Sequence, residues 1–170
     1  MSDNKNATHP MWLLAVHGGR SNLVLTPCPG TKEVSLPDSL AQLKQAGVQA
    51  VVTAMPQSEL ENNQVADIGL ECEKLGIEWY HQPIVDDKTP QQDFADSWAQ
   101  TSIALHRILT EGGNVALHCK GGSGRTGILA AHLLSELNWS EDEIITAVQA
   151  FRPNAFTLKS HQRYLKSITD

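Results

Sequence analysis

The chain has 170 residues, of which 41% are hydrophobic and 19% are charged, and its formal net charge is −6. This length suits a single domain over residues 1–170 with one hydrophobic core, and the negative charge argues against nucleic acid or an anionic membrane as a partner. Because no apolar run is long enough to span a bilayer and the polar first residues lack the features of a signal peptide, we expect a cytoplasmic protein.

The cysteines and histidines argue against a disulfide framework and against a metal centre. Cys28, Cys72 and Cys119 are an odd number of cysteines with no paired spacing, which favours reduced thiols. The seven histidines are scattered, and the chain has no Cys-x-x-Cys or His-x-x-x-His pair. We therefore expect neither a metal nor another cofactor.

The first half of the chain alternates predicted strands and helices. Apolar runs at 13–16 and 23–25 flank a glycine-containing turn and predict an N-terminal hairpin. Pro37 and Asp38 begin a helix that Gly47 ends, and the β-branched run 48–53 predicts a buried strand. A second helix over 65–75 and a second core strand over 77–84 follow.

The second half continues the alternation. After the loop 85–90, a long helix is predicted over 92–109, followed by a short strand at 115–118 and a nearly all-apolar, central helix at 128–137. Ser140 and Glu143 form a capping box for the next helix, and a last helix covers 158–168. The helix after the capping box is predicted to bury Ile144, Ile145, Val148 and Phe151. This order predicts an α/β fold with a mostly parallel central sheet flanked by helices.

One segment, residues 115–127, carries the chemistry. A strand delivers Cys119 into a glycine-rich loop, and the loop runs directly into the central helix. Glycines allow successive backbone N–H groups to turn inward and form an anion-binding nest, and the positive end of the helix points to the same place. The residues predicted to bind a tetrahedral dianion such as a phosphate group are Lys120, Gly121, Gly122, Ser123, Gly124 and Arg125.

Four side chains have predicted catalytic or supporting roles at this loop. The helix terminus favours the thiolate form of Cys119, which attacks phosphorus in line. Arg125 returns to the mouth of the loop, where its planar fork can bind two phosphate oxygens. The Thr126 hydroxyl can hydrogen-bond the sulfur, and His118 is expected to orient the loop. A merely structural buried cysteine is the alternative, which the combination of strand, glycine loop, arginine and helix disfavours.

The same residues carry a family resemblance. His118-Cys119-x-x-Gly122-x-x-Arg125-Thr126 resembles the signature loop of the protein tyrosine phosphatase superfamily. Residues 36–54, Pro83-Ile84-x-Asp86 and Arg152-Pro153-x-Ala155-Phe156 resemble its dual-specificity branch, and within it the cyclin-dependent-kinase-associated phosphatase group. The resemblance covers roughly residue 25 to the C terminus. It implies the cysteine-phosphatase fold and metal-independent phosphomonoester hydrolysis through a phosphocysteine intermediate.

The leaving group of this reaction needs a proton, and an aspartate on a loop is the usual donor. In the family that the chain resembles, the acid follows Pro-Ile-x, which implies Asp86. We interpret the neighbouring Asp87 as a solvated turn carboxylate. Relatives often carry a glutamine that positions the hydrolytic water where this chain has His161, and Gln162 follows one residue later. Either Gln162 compensates through a shifted helix turn, or hydrolysis relies on Asp86 alone, or both are ordinary surface residues.

The predicted substrate is a phosphorylated protein or peptide. The chain has no counterpart of the tyrosine-recognition segment of the larger classical phosphatases, which implies a shallow pocket and dual specificity. Phosphoinositide-directed relatives also resemble this chain at Lys120, although Ser123 replaces their second basic residue. Hydrolysis of a phosphoinositide, nucleotide or RNA 5′ phosphate, a sulfurtransferase or arsenate reductase, and a non-enzymatic phosphate-binding module remain alternatives. The oligomeric state stays open.

Overall fold

The central feature of the computed structural model, which describes residues 7–170, is a five-stranded sheet in the order β1-β2-β5-β3-β4. Strand β1 (Trp12–Val16) is antiparallel to β2 (Ser21–Thr26), which confirms the predicted hairpin. Strands β3 (Val48–Thr53), β4 (Glu78–His81) and β5 (Asn114–His118) continue the sheet in parallel. The predicted α/β fold with a mostly parallel sheet is thus confirmed.

Helices cover both faces of the sheet. On one face lie α1 (Leu36–Gln45), α2 (Gln57–Asn62) and α3 (Ile68–Lys74), and on the other α4 (Gln92–Thr110), α5 (Gly124–Glu136), α6 (Glu141–Phe151) and α7 (Lys159–Thr169). Successive side chains of β5 point to opposite faces, so Ala116 packs with the first group while Val115 and Leu117 pack with the second. The central strand therefore joins two hydrophobic cores, one on each face of the sheet, and the single core predicted from the length is wrong.

The elements between β3 and the acidic loop differ from the prediction. The helix expected over 65–75 is shorter, because α3 covers only Ile68–Lys74, and α2 was not predicted. The left-handed backbone of Gln64, with φ of 61°, separates these two helices. The strand expected over 77–84 ends at His81, and Pro83 has no N–H for a ladder. Gln82 and Ile84 nevertheless donate backbone hydrogen bonds to the end of β3 and the residue after it, which keeps this segment beside the sheet.

The second half requires two corrections. Helix α5 begins at Gly124 instead of residue 128, which places Arg125 in its first turn. The capping box before α6 is confirmed, but Phe151 is 37% exposed and Ile145 is only partly buried, whereas Ile144 and Val148 are buried as predicted. Phe151 is the last residue of α6, and the chain leaves the helix immediately after it. Within residues 7–170, no helix is long and apolar enough to cross a membrane.

Candidate active site

A cavity of about 340 Å³ lies at the carboxyl ends of the parallel strands. Its floor is the segment that runs from the end of β5 into the first turn of α5, which we call the phosphate loop (residues 119–125). The loop 85–90, which we call the acid loop, borders the cavity. The residues that line it are Asp86, Asp87, Cys119, Lys120, Gly121, Ser123, Gly124, Arg125, Asn154, Thr157, Leu158 and His161. The fold thus brings the predicted nucleophile, arginine and acid to one cavity.

The sulfur of Cys119 is surrounded by hydrogen-bond donors. It accepts hydrogen bonds from the Gly122 N–H at 3.3 Å and from the Thr126 hydroxyl at 3.1 Å. Donors of this kind stabilise negative charge on an acceptor atom. By contrast, burial raises the pKa of both Cys28 and Cys72 to about 12, so these thiols stay protonated. Of the three cysteines, Cys119 has the surroundings that a nucleophile requires.

Gly122 is the position at which the phosphate loop requires glycine. Its φ is +84°, and a Cβ atom there would lie 2.8 Å from backbone atoms of Thr26 and Pro27 at the end of β2. The neighbouring backbone also pairs with this segment, since the Cys28 N–H donates to the Lys120 carbonyl at 3.0 Å. The loop is therefore held against β2 by its own backbone.

A buried chain of hydrogen bonds supports the loop from behind. The Trp79 indole N–H donates to the Thr53 hydroxyl at 2.7 Å, and this hydroxyl is 2.7 Å from Nε2 of His118. The Nδ1 atom of His118 is 3.0 Å from the Cys119 carbonyl, which can only accept, so Nδ1 carries the proton. Burial lowers the pKa of His118 to about 4, in agreement with a neutral ring. The structure therefore places His118 where it orients the loop.

Arg152 holds the outer side of the same loop. Its guanidinium donates to the Gly121 carbonyl at 2.8 Å and to the Gly122 carbonyl at 3.1 Å, and it lies 4.1 Å from the centroid of the Trp12 ring. Fixing these carbonyls outside the cavity leaves the N–H groups of the loop to face a bound anion. The sequence resemblance included Arg152 but gave it no role.

Glu59 of α2 binds the predicted phosphate-binding arginine. Its two carboxylate oxygens each lie 2.8 Å from a terminal nitrogen of Arg125, and the Ile84 carbonyl accepts a further hydrogen bond at 3.1 Å. Burial disfavours the charged guanidinium, but the bonds to Glu59 and the nearby charges of Cys119 and Asp86 keep the pKa of Arg125 above its ordinary value. Arg125 is thus a buried cation, only 2% exposed, that lines the same cavity as Cys119.

Glu59 does not use the Nε donor of the Arg125 guanidinium. Glu59 occupies the NH1–NH2 edge of Arg125, whereas the Nε atom is buried and has no hydrogen-bond partner among residues 7–170. Asp86 Oδ1 lies 3.4 Å from NH2. A phosphate oxygen placed between Arg125 and the N–H groups of the loop would satisfy Nε. The arrangement therefore fits a phosphate group with Asp86 beside it.

The two candidate acids differ in conformation. Asp86 has a side chain that is 69% exposed and an oxygen that contacts Arg125. Asp87 has a left-handed backbone with φ of 62°, and its N–H donates to the Asp86 carboxylate at 3.1 Å. Both line the cavity, but Asp86 is the carboxylate that contacts Arg125, the predicted phosphate-binding residue.

The structure distinguishes between the positions of His161 and Gln162, whose roles the sequence left open. Gln162 donates to the Phe156 carbonyl at 2.9 Å and does not line the cavity. His161 is buried, lines the cavity and lies 2.8 Å from the Lys88 carbonyl in the acid loop. The helix turn therefore presents His161 to the site.

Sequence reasoning missed the role of Glu59. It lies in a helix that the sequence did not predict, 66 positions before the arginine it binds. Nothing in the local pattern distinguishes it from Glu61, an exposed neighbour in the same helix. Only the packing of α2 beside the first turn of α5 shows the contact.

Comparison with known proteins gives a consistent result. Residues 29–137, more than half of the chain, match the family described as "Polymorphic toxin system, DSP-PTPase phosphatase". The chain is 32% identical to cyclin-dependent kinase inhibitor 3 of Rattus norvegicus over 97 residues, which are 57% of this chain and 44% of that protein. It is 28% identical to the Homo sapiens protein of the same name over 143 residues, 81% of this chain and 66% of that one. The match thus spans less than two thirds of either relative.

The crystal structure of kinase associated phosphatase, with its catalytic-site cysteine substituted by serine, shares the fold. It superposes with a TM-score of 0.82 and 24% sequence identity, covering 95% of this chain and 94% of the other. The residues that match the family model, 29–137, include both the acid loop and the phosphate loop. The chain therefore belongs to the DSP-PTPase phosphatases, within the dual-specificity branch of the cysteine-dependent protein tyrosine phosphatases, as its signature loop indicated.

Proposed function

We propose that this chain hydrolyses phosphomonoesters of proteins through a phosphocysteine intermediate, without a metal ion. In the first step, the Cys119 sulfur forms a bond to phosphorus while the bond from phosphorus to the leaving oxygen breaks. Arg125 and the loop N–H groups stabilise the charge on the phosphoryl oxygens. Asp86, in its protonated form, gives its proton to the leaving alkoxide or phenoxide.

The second step releases the phosphate. A water molecule attacks phosphorus and transfers a proton to the Asp86 carboxylate, and the sulfur–phosphorus bond breaks to return the Cys119 thiolate and inorganic phosphate. The Thr126 hydroxyl, 3.1 Å from the sulfur, stabilises the thiolate as it leaves. These steps use only side chains and backbone groups of this chain.

The observation that carries the proposal is the Nε atom of Arg125, which has no hydrogen-bond partner among residues 7–170. A cation that is 2% exposed, paired with Glu59 and part of the cavity lining provides a charge suited to binding an oxyanion. The Thr126 hydroxyl, which donates a hydrogen bond to the Cys119 sulfur, and the carboxylate of Asp86 are not needed for binding alone. Their presence favours an enzyme over a phosphate-binding module. They also favour ester hydrolysis over sulfur transfer.

A phosphoprotein is the proposed substrate class. The relatives carry names that refer to kinases, and the cavity wall formed by Asn154, Thr157 and Leu158 is open and exposed. An open wall suits phosphoserine and phosphothreonine as well as phosphotyrosine. We also propose a reducing compartment such as the cytoplasm, because all three cysteines are free thiols.

The test is phosphate release from matched phosphotyrosine and phosphothreonine peptides in excess chelator, with Cys119→Ser alongside. We expect turnover of both peptides and a complete loss in the variant, which should still bind inorganic phosphate. Substantial activity in Cys119→Ser would contradict the mechanism. Activity on neither peptide would contradict the protein substrate, and phosphoinositides, nucleotides and thiosulfate would then be assayed in that order.

A further inference from the structure

The acid loop is tied to α7 by one buried side chain. His161, in the first turn of α7, is 1% exposed, and its Nε2 atom lies 2.8 Å from the Lys88 carbonyl. Because a carbonyl can only accept, Nε2 carries the proton and donates this hydrogen bond. The contact joins two segments that are 73 positions apart in the chain.

The rest of the acid loop lacks comparable support. The Lys88 N–H donates to the Val85 carbonyl, and the Asp87 N–H donates to the Asp86 carboxylate, so both bonds stay within the loop. Arg125 contacts the loop at its beginning, through Ile84 and Asp86. Gln91, the residue before α4, donates a hydrogen bond to the Thr89 carbonyl at 3.0 Å. His161 supplies the hydrogen bond that connects the second half of the loop to α7.

The ring of His161 also lies against the helix that carries the arginine. A Cβ atom at Gly124, the first residue of α5, would be 3.6 Å from the ring's Cε1 atom. The ring is thus packed between the acid loop and the first turn of α5. A side chain in this place can fix the distance between the loop and the phosphate site.

We propose that His161 is a positioning residue that holds the acid loop over the cavity and keeps Asp86 within reach of the leaving oxygen. This inference rests on the proposed function, since it assigns a partner to its general acid. His161 does not touch the reacting atoms, and it acts through Asp86. Its neighbour Gln162 serves the Phe156 turn instead.

A double-mutant cycle tests this assignment. His161→Ala should lower kcat on a phosphothreonine peptide roughly 10-fold, the factor that one hydrogen bond of ordinary strength supplies. KM should stay nearly constant, and p-nitrophenyl phosphate, whose leaving group needs little protonation, should lose less. In an Asp86→Ala background, adding His161→Ala should cause no further loss, because the acid it positions is already absent.

Two matched variants distinguish positioning from folding. His161→Gln retains an N–H at a similar distance and should recover most of the rate, whereas Gln162→Ala should leave the dependence on the leaving group unchanged. If His161→Ala does not fold, His161→Asn carries the same expectation, since its amide is too short to reach Lys88. Equal losses from His161→Ala in the presence and absence of Asp86 would overturn the proposal.

A second measurement does not depend on turnover. Amide hydrogen exchange over residues 85–90 should become faster in His161→Ala than in the wild type and in Gln162→Ala, because the loop loses its connection to α7. Unchanged exchange in this segment would overturn the proposal that His161 holds the acid loop, even if catalysis is confirmed. Faster exchange in a protein without phosphatase activity would support the proposal that His161 holds the acid loop, and it would contradict only the proposed function.

Discussion

The two loops of the active site are built in opposite ways. The phosphate loop is fixed on all sides, by Gly122 against β2, by His118 from behind and by Arg152 from outside. The acid loop is exposed over residues 85–88, and its second half is held by His161 at Lys88 and by Gln91 at Thr89. The proposed anion site and nucleophile are thus preorganised, whereas the proposed proton donor, Asp86, lies on an exposed segment. A loop of the second kind can open to admit a bulky substrate, such as the proposed phosphoprotein, and close again before chemistry.

Removing the proton donor should give the largest effect. Asp86→Ala should slow hydrolysis of a phosphothreonine peptide by ~10²–10⁴, the usual contribution of a general acid. Its effect on p-nitrophenyl phosphate should be far smaller, and binding of inorganic phosphate should be retained. The measurement is kcat on both substrates, with Asp87→Ala as the matched control. A larger loss in Asp87→Ala would assign the acid to the other carboxylate.

Substitution in the preorganised loop should instead damage binding and stability together. Gly122→Ala places a Cβ 2.8 Å from the backbone of Thr26 and Pro27 at a positive φ. Strain of about 1–2 kcal/mol from the left-handed backbone and about 1–3 kcal/mol from overpacking should lower the free energy of unfolding and weaken phosphate binding. Urea denaturation and phosphate titration measure the two effects.

Gly121→Ala is the matched control for that substitution. A Cβ at Gly121 would meet nothing within 4 Å, so this variant should lose much less stability than Gly122→Ala. If both substitutions cost the same, the close approach of the loop to β2 would not be what fixes it.

The comparison also explains what the sequence could predict. The phosphate loop was identified because its backbone conformation is encoded locally, in glycines between a strand and a helix that are consecutive in the chain. The signature also specified Cys119, Arg125 and Thr126. In the structure, the Thr126 hydroxyl donates to the Cys119 sulfur, and Cys119 and Arg125 line the same cavity. The α/β alternation followed from the same local periodicity.

The features that the sequence did not predict depend on contacts between segments that are distant in the chain. Glu59 reaches Arg125 from a six-residue helix with little apolar pattern, and His161 reaches Lys88 across the cavity. The burial of Phe151 was predicted wrongly because helical spacing does not show where a helix passes beyond the core. Periodicity reports which face of an element is apolar, but not which polar side chain of another element it will meet.

Glu59→Gln should show how far the arginine depends on its partner. Removing one charge from the pair leaves the buried Arg125 cation with weaker hydrogen bonds. The interaction free energy between the two side chains should fall by about 1–3 kcal/mol, and kcat/KM should fall by roughly 10-fold to 100-fold. Since Glu59 is partly exposed, water can replace part of the interaction and the lower end is expected. Kinetics with Glu61→Gln, an exposed residue of the same helix, provide the control. Equal effects of the two variants would show that Glu59 is not a specific partner.

The buried ring of His118 should also make the stability of the protein depend on pH. Burial lowers the pKa of His118 from 6.5 to about 4 in the folded protein, so between these values the unfolded chain binds a proton that the folded chain does not. Its contribution to stability is therefore complete above pH 6.5 and is lost as the pH falls toward 4, at about 1.4 kcal/mol per pH unit. His118→Gln can still bond to Thr53 but cannot titrate, so its free energy of unfolding should fall less steeply over this range. Burial also lowers the pKa of His9 and His132 to about 4, and because both remain in the variant, only the difference between the two slopes reports His118. Identical slopes in urea denaturation series between pH 7.5 and 4.5 would mean that the ring behind the phosphate loop accepts a proton without opposing the fold.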